Sequence, residues 1–231
     1  MSTTYDFTSD FTTEALCLRM LERNRQTVQV QKDHVAVRKL GRIVEAILDL
    51  SNRQGFHATS LRNLSKACGV SMGGMYSYFD SKNTLLVMIL AEVSAVTTEV
   101  LGAPPSGMVD RPADHLDWLI ETHIRLTEAM IPWFVFAFME AKSFPLPARR
   151  MATDSEEATE KIIADVLDRG VSSGIFAVEN PGLTAALIKP LLQDWYVKRS
   201  KHRKRGTSIE RYIAGVKRFV DNAIKVEPAI A

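Results

Sequence analysis

The 231-residue sequence predicts an all-α protein. Three observations carry that expectation: apolar residues recur at spacings of three and four, no segment alternates as a strand would, and glycine or proline separates the periodic stretches. With 46% hydrophobic and 24% charged residues, the chain has material for one or two globular domains with a sizeable core.

The elements follow in order. Residues 13–30 form an amphipathic pattern, with Leu16, Met20 and Val28 on one side and Arg19, Arg23 and Arg25 on the other. A helix over 36–53 stacks Val37, Leu40, Val44, Ile47, Leu48 and Ser51 on one face and stops at Gly55. Two short helices, 61–67 and 72–79, meet at Gly69, with Ser60 and Ser71 as their caps. A helix over 83–100 ends at the "GAPPSG" stretch of 102–107, the expected domain boundary. Beyond it, 113–131 is striped, 132–143 is apolar all round, and 148–170 sets an apolar stripe against an acidic face. The helices 181–199, which Pro190 should kink, and 207–225 are joined by "KHRKRG", expected as a solvated loop.

The net charge of +2 is unevenly spread. Residues 35–82 hold seven basic and three acidic side chains, 83–180 seven and fifteen, and 181–231 eleven and four. A basic block beside an acidic middle suits different partners, with phosphate facing the former. Cys17 and Cys68 have no metal-binding or disulfide spacing and read as small core residues. No metalloprotease, nucleophile-elbow, phosphate-loop or dinucleotide pattern occurs, so neither an enzyme nor a metal or cofactor is expected. Apolar runs such as "IPWFVFAFM" are too short to span a bilayer, and the N-terminus has no secretory pattern, so a cytoplasmic protein without a membrane partner is expected.

The segment 60–79 has the layout of a helix-turn-helix. Gly73 and Gly74 allow close backbone approach to a phosphate or base edge, Tyr76 and Tyr78 offer hydroxyls, Phe79 offers an anchor, and Lys82 a cation. Together with the preceding "RIVEAILDLSNRQ", the stretch "GFHATSLRNLSKACGVSMGGMYSYFDSKNTLL" resembles the DNA-binding domain of TetR family transcriptional regulators. The resemblance covers about residues 38–86 and rests on the joint spacing of Gly55-Phe56, Thr59-Ser60, Gly69-Val70-Ser71, Tyr76, Tyr78-Phe79 and Lys82. Ser65 departs from the family's usual alanine, and Met72-Gly73-Gly74 from its lysine or proline, glycine, threonine pattern.

That resemblance implies a homodimeric repressor that binds palindromic double-stranded operator DNA and is released by a small effector. Its layout would be an N-terminal extension (1–34), a three-helix DNA-binding domain (35–100) and a larger helical effector-binding and dimerisation domain (108–231). It implies phosphate contacts from Tyr76 and Lys82, a backbone-contacting helix start at Thr59 and Ser60, and base contacts from Ser71, Met72, Gly73 and Ser77. The last two helices would supply the dimer interface through Leu187, Leu191, Trp195, Tyr212, Val216 and Phe219. An apolar or acyl-like effector is expected among Trp118, His123, Met130, Trp133, Phe134, Phe138 and Glu140. The alternative is a helical adaptor that keeps the fold without binding DNA. The N-terminal extension reads as a helix packed on the domain in preference to an arm laid on DNA.

Overall fold

A computed structural model describes residues 5–25 and 34–225. The helices in chain order are α1 (Thr13–Arg23), α2 (His34–Gln54), α3 (Leu61–Cys68), α4 (Met72–Tyr76), α5 (Lys82–Leu101), α6 (Pro112–Ala129), α7 (Ile131–Met139), α8 (Leu146–Ser172), α9 (Pro181–Val197), α10 (Arg199–Lys204) and α11 (Ile209–Ile224). A single 3₁₀ turn, Ala141–Ser143, follows α7, and no strand occurs among the described residues.

Two compact units emerge, and their composition differs from the expected division. One comprises Asp6–Val96 with Ala129–Asp154; the other comprises Thr97–Glu128 with the chain from Ser155 onward. The helix α7 and the start of α8, expected in the second domain, therefore fold with the helix-turn-helix. The "IPWFVFAFM" helix buries Trp133, Phe134 and Phe136 in the first unit, but Pro132, Phe138 and Met139 stay exposed, so it is enclosed on one side and not all round as expected.

Within that first unit, Thr12 caps α1, which buries Leu16, Cys17, Met20 and Leu21 and packs on α2. Arg19 and Arg23 bond the two oxygens of the fully buried Glu92 of α5 at 2.6 and 3.0 Å. A buried carboxylate without such partners would destabilise the fold by several kcal/mol. The N-terminal extension thus packs on the domain through α1, while Val28 and the rest of the expected helix lie outside the described residues. By length and composition α5 could cross a membrane, yet 61% of its most apolar stretch is buried inside the protein, and Glu92 sits within it.

The second unit encloses Leu116, Ile120, Leu167, Leu192, Trp195 and Val220 in one core. Asn180 caps α9, whose helix runs on through Pro190. The basic stretch after it is the short helix α10 rather than a solvated loop. Asp194 binds Lys198, Lys201 and His202 at 3.1, 2.9 and 2.8 Å. His202 is buried, with ring centroids 5.3 Å from Trp195 and 4.7 Å from Tyr212. Burial alone would raise the Asp194 carboxyl, but its bonds to Lys201, His202 and Lys198 outweigh that and hold it at about 2.

Candidate functional site

Each bend of the helix-turn-helix is fixed by a local bond. Ser60 Oγ accepts the Asn63 amide at 3.1 Å to start α3, and Gly69 ends it in the left-handed region at φ +65°. Ser65 Oγ donates to the Val70 carbonyl at 2.7 Å, so the residue that departs from the family's alanine ties the turn shut. Ser71 Oγ accepts the Gly74 amide at 3.1 Å to start α4. That helix ends at Tyr76, three residues short of the expected stop at Phe79, because Tyr78 and Phe79 turn inward and are buried.

These bends sort the expected DNA-contacting residues. Tyr76 is 50% exposed, Ser60, Ser71 and Gly73 lie on the surface, and Met72, Gly74 and Ser77 are half-buried. A methyl group placed on Gly73 would meet no heavy atom within 4 Å, so the helix is open to solvent there.

Three of the expected contacts are engaged within the fold, and two of them, Tyr78 and Thr59, are corrected to buried positions. Tyr78 is buried and its hydroxyl donates to the Ala36 carbonyl at 3.2 Å, so it anchors α4 to α2. Thr59 is also buried: its hydroxyl donates to the Gly55 carbonyl at 3.0 Å and accepts from the Gln54 amide at 3.2 Å. Lys82 directs its ammonium to the carbonyls of Phe56 (2.6 Å), Thr59 (2.8 Å) and His57 (3.3 Å), with the Phe56 ring 4.3 Å away. An ammonium has three protons and all are engaged. Burial lowers its pKa, and the half-buried side chain braces the turn that precedes α3.

Sequence reasoning passed over the cations that are exposed. Arg38, Lys39 and Arg42 on α2 and Arg62 and Lys66 on α3 all face solvent. The Arg42 guanidinium lies over the turn, 2.5 Å from where a side chain on Gly69 would begin. The signal for this group was the positive balance of residues 35–82, which the motif positions do not localise.

The residues expected to line one pocket do not come together within one unit. Met130, Trp133 and Phe134 are core residues of the first unit, and Phe138 is exposed there. Glu140 is half-buried and its Oε2 accepts the Phe56 amide at 2.8 Å. The Phe56 ring packs edge-on against Phe136 and Phe144 at 5.9 and 5.8 Å. Trp118 and His123 belong to the second unit, where His123 is buried with Nε2 3.2 Å from Lys189 Nζ.

Of the expected dimer residues, Leu187 and Phe219 are each 65% exposed, and Leu191 and Tyr212 are half-buried. Trp195 and Val216 are corrected to internal core. The Trp195 indole donates to Glu128 at 2.8 Å, and the Arg199 guanidinium stacks over its ring at 4.5 Å.

Comparison with known proteins agrees with this architecture. Residues 43–89 match the bacterial regulatory proteins of the tetR family, and 109–197 match the tetracyclin repressor-like C-terminal domain. The HTH-type transcriptional repressor KstR of Rhodococcus jostii is 30% identical over 142 residues, covering 54% of this chain and 67% of that protein. The uncharacterized HTH-type transcriptional regulator YerO of Bacillus subtilis is 25% identical, covering 58% of this chain and 53% of its own length. The chain thus spans between about half and two thirds of these curated relatives. A regulator from Saccharomonospora viridis, solved in complex with choline, shares the fold with a TM-score of 0.66 at 19% identity, covering 80% of this chain and 97% of that one. With both characteristic domains matched in order along the chain, the protein belongs to the TetR family of transcriptional regulators.

Proposed function

We propose that the chain acts as a homodimeric repressor in the cytoplasm, reading palindromic operator DNA through α3 and α4 and leaving it when a small effector binds the second unit. The observation that carries this reading is the outward face of α4: Tyr76 and the open backbone at Gly73, flanked by the exposed cations Arg42, Arg62 and Lys66. Tyr76 offers a hydroxyl to a phosphate, Gly73 lets the helix approach the groove, and the cations supply the salt-sensitive part of the affinity. Leu183, Leu187 and Phe219, exposed on α9 and α11, support a second copy covering that face. Two α4 helices would then meet half-sites about 34–36 Å apart. Release requires an effector that binds more tightly to the form whose helices no longer match that spacing.

A mobility-shift titration with a palindromic fragment from upstream of the protein's own gene tests this. Binding should fall steeply with salt, and Tyr76→Ala should weaken it about ten-fold, the scale of one or two hydrogen bonds. Salt-independent retention, or equal affinity for Tyr76→Ala, would refute it and favour an adaptor.

A further inference from the structure

The second unit contains a cation in an unusual setting. Lys189 of α9 is 6% exposed, and its ammonium meets the His123 Nε2 of α6 at 3.2 Å. Among the described residues no carboxylate oxygen lies within ion-pair distance of it. The imidazole must accept that bond through Nε2, so its proton resides on Nδ1 and the ring is neutral; burial first, and the Lys189 charge second, hold its pKa well below the ordinary value. Burial pushes Lys189 down to about 8, countered by the more distant charges of Glu156 and Glu160 on α8. The ammonium therefore remains largely protonated at neutral pH. Glu156 is itself bonded by the Gln193 amide, one turn beyond Lys189, and the buried Tyr196 is held neutral, its hydroxyl raised by burial.

A lysine bound to a neutral base differs in kind from one bound to a carboxylate. The second is already compensated by direct contact; the first touches no carboxylate and has two further N–H groups to donate. The core of the same unit is apolar, with Ile120, Ile124, Ile163 and Leu192 all buried. We propose that Lys189, positioned by His123, binds the head group of a small carboxylic acid whose apolar body lies among these side chains. This rests on reading the second unit as the effector domain, and it assigns that effector's chemical class. The histidine fixes the ammonium by accepting one proton, and the lysine supplies the charge that selects an acid over its ester or alcohol.

Thermal melting of the full-length protein tests the assignment. The probes are straight-chain carboxylates of six to sixteen carbons, benzoate and phenylacetate, each set beside its methyl ester and its alcohol. At least one acid should raise the wild-type melting temperature by about 5 °C or more at hundred-fold excess over its dissociation constant, with its ester and alcohol far weaker. Lys189→Met should lose that response. If that variant does not fold, the acid-against-ester comparison in the wild-type chain still decides. Equal stabilisation by acid, ester and alcohol overturns the acid assignment and leaves the effector reading standing. No stabilisation by any compound overturns both.

Discussion

Phe56 is held by its amide and its carbonyl at once, the first by Glu140 and the second by Lys82. This sets the turn that precedes Ser60 and so the start of α3. It also separates two roles that sequence position alone confuses. Lys82→Met removes the donor to three carbonyls and should lower stability by about 2–3 kcal/mol, but should leave the slope of log affinity against log salt unchanged. Arg42→Ala or Lys66→Ala, each exposed beside the turn, should leave stability nearly intact and reduce that slope by about 1. Urea unfolding and salt-titrated mobility shifts on the three variants check both halves. Tyr76 and Tyr78 illustrate why the site was only partly legible. Their side chains are alike, and only the end of a five-residue helix sends one outward and the other beneath α2.

At the scale of the element, periodicity located every long helix, since burial of one face leaves its mark at spacings of three and four. The ends of the short ones were obscure because distant residues set them. For α4 the stop follows from Tyr78 bonding Ala36; for α10 the anchor is Asp194, which lies on the preceding helix. The glycines of α4 show a conflict between local preference and role. Gly73→Ala fills open space and should favour the helix by about 1 kcal/mol, which calorimetry would show as a higher melting temperature. The same variant should bind operator less tightly, because its methyl group holds the backbone away from the groove. A gain in both stability and affinity would remove the reason proposed for the glycine.

For the molecule as a whole, two properties depend on groups spread across it. The exposed face at Leu187 and Phe219 predicts that Leu187→Glu with Phe219→Glu yields a monomer by light scattering, and that operator affinity drops with the loss of linked half-sites. Acid should destabilise the protein early. His123, by burial and then the Lys189 charge, and His115, by burial and then the Arg169 charge, have folded-state pKa values below the ordinary 6.5. The unfolded chain therefore takes up protons that the folded one refuses, so stability falls as pH drops below about 6.5, by up to about 1.4 kcal/mol per pH unit for each such histidine. Urea midpoints at pH 7.5 and 5.5 should differ accordingly, and less so in His123→Gln. The bond from Glu140 to Phe56 also bears on protein engineering. Swapping C-terminal domains between regulators at the Gly102–Gly107 linker, the obvious single junction, would replace residues 129–154 and strip the native helix-turn-helix unit of Glu140 and Phe144. A working hybrid needs the donor sequence interrupted, so that this stretch travels with the unit it braces.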